Sequence, residues 1–206
     1  MVPFSRISNM PDTFKTIAAP SEAIFKEKMS KFLAFAHPAA TAAEAKTIVS
    51  QYQKEYFDAR HVCWAYMIGA ARTDFLSSDN GEPSGTAGKP ILGQINSFGL
   101  TDIVIVVVRY FGGIKLGTSG LIAAYREAAR MALNEAQIEE RHVMGTIEFT
   151  FPYTAMNDVM KLTKLPGITI LSRDFNNTCR MAVSTRLDDF DRLRQRIEDI
   201  DGVSIC

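Results

Sequence analysis

The chain has 206 residues, 47% hydrophobic and 22% charged, with 23 basic and 23 acidic side chains and a formal net charge of zero. That composition supports a real core and excludes wholesale disorder. The balanced charge excludes a uniformly basic nucleic-acid binder, so any contact with nucleic acid has to come from a local patch.

In chain order, Met1 to Phe14 reads as a loose lead-in. Ile17 to Phe25 and Lys31 to His37 read as two strands with a turn at Glu27 and Lys28. Thr41 to Tyr56 predicts an amphipathic helix with Ala45, Ile48, Val49 and Tyr52 on one face. Thr41 suits its N-cap, and Glu44 completes a capping box. Val62 to Ile68 reads as a strand, followed by a polar loop through Ser77, Asp79 and Gly81. Pro90 suits the first turn of a helix that buries Ile91, Leu92, Ile95 and Phe98 and stops at Gly99.

Ile103 to Arg109 opens with six β-branched residues, the mark of a central strand covered on both faces. The loop from Tyr110 to Gly120 leads into a helix from about Leu121 to Ala136. The rest changes grammar. Val143 to Phe151 is a strand and Tyr153 to Lys164 a helix. Gly167 to Arg173 and Thr178 to Arg186 are strands joined at Asn176-Asn177. Leu187 to Ile200 is a helix, and Gly202 to Cys206 a short last strand. That order is β-α-β-β-α-β, the ferredoxin-like pattern. The chain therefore reads as α+β with two domains, residues 1–140 and 141–206.

Cys63, Cys179 and Cys206 are odd in number and lack Cys-x-x-Cys spacing, which suits reduced thiols in the cytoplasm. His37, His61 and His142 have no metal-ligand spacing, so neither a metal nor a cofactor is expected. Met1 to Asp12 lacks the layout of a signal peptide, and the apolar run Ile103 to Val108 is too short to cross a bilayer.

Two glycine-rich segments stand out. The first, Ser77 to Pro90, holds Asp79, Gly81, Glu82, Gly85, Thr86, Gly88 and Lys89. Its glycines allow close backbone approach, and N–H groups at the following helix start suit an anion. It is not a Walker loop, because Pro83 and Pro90 occupy two required positions. The second, Arg109 to Gly120, holds Tyr110, Phe111, Gly112, Gly113, Lys115, Gly117 and Thr118. Its spacing is not the dinucleotide pattern. Arg109 and Lys115 suit a phosphate, Tyr110 or Phe111 a base, and Thr118 or Ser119 a helix cap. Both segments also suit purely structural turns. Asp79 and Glu82 suit an acid–base pair or two solvated carboxylates. His61 and Cys63 share a strand face, which suits a thiol–imidazole pair or two buried side chains.

Together these strings resemble the IMPACT family, and within it the bacterial YigZ branch. The residues that carry the resemblance are Asp58 to His61, Ser78 to Pro90, Val106 to Leu121, and Ala124-Tyr125. Val62 stands where the branch often has a second histidine. The resemblance implies a first domain of the ribosomal-protein domain-2 type, an α/β sandwich. It implies a second domain similar to the C-terminal domains of elongation factor G. It thereby implies a translation-linked partner, RNA or the ribosome, met by Lys89, Arg109, Lys115 and Arg126. The residues also admit an enzyme or sensor for a phosphorylated small molecule, or a protein–protein adaptor anchored on Tyr110 and Phe111.

Overall fold

The computed structural model describes residues 11–176 and 178–206, so most of the expected lead-in and the Asn177 half of the expected turn lie outside the described residues. The chain divides into two compact units, one ending at Arg141 and one spanning His142–Cys206.

The first unit runs β1 (Thr13–Ile17), β2 (Ser21–Glu27), β3 (Ser30–Pro38), α1 (Ala42–Glu55), β4 (His61–Ile68), β5 (Asp74–Ser78), α2 (Gly88–Ser97), β6 (Ile103–Tyr110), α3 (Gly117–Asn134) and β7 (Ile138–His142). Five strands form an antiparallel sheet in the order β2-β3-β6-β4-β5, while β1 pairs with β7. Side chains alternate across a strand, so β6 serves two cores. Ile103, Ile105 and Val107 pack with Ile91 and Ile95 of α2 and Leu121 and Ala128 of α3. Val104, Val106 and Val108 pack with Ala45 and Val49 of α1. All six are 0% exposed. Burying each contributes about 1.5–3 kcal/mol, which is why this strand anchors the unit.

Local signals set the boundaries. Thr41 Oγ1 accepts from the Glu44 N–H at 3.1 Å, and the Glu44 carboxylate accepts from the Ala40 N–H at 2.9 Å. The capping box is thus closed one residue before the cap. The strand expected from Ile17 to Phe25 is broken between β1 and β2. Ala18 sends its N–H to Gln137 O at 2.9 Å, and Pro20 has no N–H to give. Asp74 to Ser78, expected as loop, is edge strand β5, held to β4 by its backbone with Phe75 and Leu76 exposed.

The second unit runs β8 (Met144–Phe151), a 3₁₀ turn at Tyr153–Ala155, α4 (Met156–Leu162), β9 (Thr169–Phe175), β10 (Cys179–Arg186), α5 (Leu187–Glu198) and β11 (Ser204–Ile205). Its antiparallel sheet has the order β11-β8-β10-β9. Each strand pair that a helix connects is thereby split by a third strand. Ile147, Phe149, Phe151, Met181 and Val183 of the sheet and Val159, Leu193 and Ile197 of the helices are buried.

Candidate functional site

After β5 the chain crosses over β4 before entering α2. Gly81 and Gly85 take positive φ, +83° and +76°, which an L side chain resists. The Asp79 carboxylate accepts from the backbone N–H groups of Gly85 at 2.7 Å, Ala87 at 2.9 Å and Gly88 at 2.8 Å. These are the donors an external anion at the start of α2 would use. The chain's own carboxylate fills that place. Gly88 is there for packing, since a Cβ would lie 2.7 Å from Ser78 N. Thr86 Oγ1 donates to Pro83 O at 2.6 Å, so it too is spent locally.

Burial alone would raise the Asp79 pKa. The three N–H donors, helped by the charge of Lys89, hold it below the ordinary 3.8. A carboxylate with a depressed folded-state pKa stabilises the fold above its unfolded pKa and stops doing so as the pH falls through the folded value. Asp79→Asn is therefore expected to cost about 1 kcal/mol at pH 7. Urea unfolding at a series of pH values should show that gap closing below about pH 4. A gap independent of pH would contradict the capping role.

A second cluster lies beneath the crossing. Register places His61 beside Arg109 and Cys63 beside Val107. Glu82 reaches down to them. Its Oε1 accepts from Arg109 Nη1 at 2.6 Å and from the Tyr125 hydroxyl of α3 at 2.9 Å. The Arg109 and Glu82 side chains are 6% and 4% exposed. Arg109 Nη2 also reaches Ser30 Oγ at 3.5 Å, while its buried Nε has no partner among the described residues. The guanidinium lies 5.5 Å from the Phe32 ring and 5.6 Å from the Phe111 ring. Arg109 is thus the counter-ion of Glu82, and the phosphate partner expected for it is replaced by that carboxylate. Asp79 and Glu82 form no acid–base pair, since one carboxylate faces the start of α2 and the other Arg109.

His61 Nδ1 donates to Asn80 O at 2.8 Å, which leaves Nε2 4.0 Å from Glu82 Oε1. The Cys63 thiol faces Asp79 O at 2.9 Å and the Tyr125 hydroxyl oxygen at 3.3 Å. Burial pushes the thiol up to about 12 and raises the Tyr125 phenol as well. A thiol kept protonated is a poor nucleophile. His61 and Cys63 do share a face, but the imidazole is turned to Asn80 rather than to the sulfur.

The third feature is the tip of the β2–β3 hairpin. Its turn residues are Lys28 at φ +43° and Met29 at φ +68°. Positive φ at both positions is the primed-turn pattern, which asparagine and glycine usually fill. An ordinary L residue there costs about 1–2 kcal/mol. Met29 is 79% exposed. The loop after β6 is pinned to this turn. The Gly112 N–H donates to Ser30 Oγ at 3.3 Å, and a Cβ on Gly112 would overlap the Met29 backbone. Phe111, Ile114 and Lys115 of that loop are exposed, as are Lys26, Lys28 and Lys31 of the hairpin. Gly113 and Gly117 take φ of +89° and +71° to shape it.

Tyr110 points to the sheet face opposite Arg109, and its hydroxyl donates to Asp58 at 2.9 Å. Lys89 is exposed on α2. Thr118 and Ser119 do not cap α3. That helix starts at Gly117 behind Leu116, and a Cβ added at Gly120 would lie 3.1 Å from the Leu116 side chain.

Comparison with known proteins gives the lineage. The family model described as the Impact N-terminal domain matches residues 28–133. The chain belongs to the IMPACT family. It is 32% identical over 187 residues to "IMPACT family member YigZ" of Escherichia coli, covering 85% of this chain and 92% of that one. It is 35% identical over 150 residues to "IMPACT family member YvyE" of Bacillus subtilis, covering 73% and 69%. A crystal structure described as that of a hypothetical protein matches with a TM-score of 0.79 and 28% identity, over 95% of this chain and 97% of that one.

The IMPACT match begins at the hairpin tip and takes in both glycine segments. Sequence reasoning singled out Tyr125 only within the family strings and gave it no contact, and it missed Ser30 and the strain in the hairpin turn. A tyrosine in the buried stripe of α3 was a signal, because its hydroxyl needs a partner. Ser30 carried none. Among the described residues, no helix is long and apolar enough to cross a membrane, and no three His, Cys, Asp or Glu side chains gather to hold a metal.

Proposed function

We propose that this IMPACT-family chain is a non-enzymatic factor that binds RNA, as presented by the ribosome or the translation machinery, with the hairpin tip and the post-β6 loop. The carrying observation is the Lys28-Met29 turn, where two bulky exposed side chains hold backbone conformations that glycine would take without strain. Strain kept in place by its surroundings points to use. Around the turn lie Lys26, Lys31 and Lys115 for phosphates and Phe111 for a base. The inner charges support binding rather than turnover, since Glu82 and Asp79 are both satisfied by the chain. The family resemblance supports a translation partner, and the β11-β8-β10-β9 order suits the elongation-factor-G-like second domain that the resemblance implies.

The test is the salt dependence of binding to single-stranded RNA and to ribosomes. Four lysines on phosphates give a log–log slope of about −3, so affinity should fall roughly 50-fold between about 50 and 200 mM salt. Absence of binding at low salt by folded protein would sink the reading. Capture of ribosomal protein that survives high salt would replace it with an adaptor anchored on Phe111 and Ile114.

A further inference from the structure

We propose that the cleft between α2 and α3 binds a phosphomonoester about the size of a nucleoside monophosphate. This goes beyond the RNA surface and does not depend on it. The cleft holds about 390 Å³ and is lined by Gly85, Lys89, Gly93, Gln94, Ile122 and Arg126. That volume sits at the lower end of ligand cavities, which run about 300–1,000 Å³. Lys89 and Arg126 come from different helices, are both exposed, and form no ion pair among the described residues. Two cations on one concavity suit a doubly charged phosphate, with the guanidinium offering two parallel donors.

Gly93 is the second, independent observation. It lies inside α2, where glycine costs about 1 kcal/mol against alanine. Every other described glycine of the first unit has a positive φ or a close neighbour that a Cβ would meet. Gly93 has neither, and it lines the cleft. Its bare backbone leaves open the space in the cleft lining that a side chain there would take. Gln94 offers an amide for a base edge or sugar, and Ile122 an apolar wall.

A free mononucleotide and the 5′-phosphate end of an RNA offer the same chemistry. The experiment uses the full chain with AMP, UMP, inorganic phosphate, and a short RNA with either a 5′-phosphate or a 5′-hydroxyl. AMP or UMP should raise the Tm, since a ligand of the folded state stabilises it by mass action. A free source gives that shift, and a terminal source gives tighter binding of the phosphorylated RNA. Either signal should weaken tenfold or more in Arg126→Ala and in Gly93→Ala. Gly93→Ala should itself melt about 2–4 °C higher, which separates a filled cleft from a damaged fold. No shift with any mononucleotide together with equal binding of both RNAs overturns the proposal, as does undiminished binding by Gly93→Ala. Neither result touches the hairpin reading, whose RNA contact needs no terminal phosphate.

Discussion

Replacing Glu82 with alanine is expected to remove about 3–5 kcal/mol of folding stability from the first unit. The reason is asymmetric. The pair itself adds little, because taking two charges out of water offsets most of their attraction. Leaving Arg109 alone at 5% exposure is what destabilises. Glu82→Ala also strips the Tyr125 hydroxyl of its acceptor. Arg109→Ala should lose a similar amount, since Glu82 is then the stranded charge, so neither variant is a clean probe of ligand binding. Glu82→Leu combined with Arg109→Met should recover most of the loss, as buried pairs replaced by apolar side chains often do. Trp64, the only tryptophan, lies on β4 and reports unfolding of this unit by fluorescence. A loss under about 1 kcal/mol for the single variant would mean that the cluster is wetter than its burial indicates.

Gly112→Ala is the second large effect. The added methyl would overlap the Met29 backbone, and two backbone segments cannot yield as a side-chain tip can. The loop has to lift off the hairpin, at about 2–3 kcal/mol. Phe111 and Lys115 then no longer share a surface with Lys28 and Lys31, so RNA affinity should fall at least tenfold in conditions where the variant is folded. Gly113→Ala is the control. Its φ is +89°, yet a Cβ there meets nothing within 4 Å, so only backbone strain of about 1–2 kcal/mol is expected. Equal losses at Gly112 and Gly113 would show that the contact with Met29 does not hold the loop.

What could be read from the sequence was what repeats or alternates. The β6 run declared a doubly covered strand because six β-branched residues leave no polar face. The α1 start was legible because Thr41 and Glu44 form a local device. Edge strand β5 was not, since its pairing is all backbone and its side chains face solvent. The site divided in the same way. Glycine spacing marked both segments, but it could not show that Asp79 would cap α2 from eight residues upstream. Nor could it show that Arg109 would find Glu82 across 27 residues. Those pairings depend on strand register, which the glycines do not encode. Positive φ at Lys28 and Met29 was hidden for the opposite reason, because neither residue type advertises it.

The most direct measurement compares wild type with Lys28→Asn/Met29→Gly for both folding stability and the salt dependence of RNA affinity. The substitutions install the residues a primed turn prefers, so stability should rise by about 1 kcal/mol. If the tip binds RNA, affinity should fall in the same variant, and the log–log salt slope should become shallower by about 0.7 for the lost lysine contact. A variant that is more stable yet binds RNA with unchanged affinity and slope would contradict the assignment of this surface.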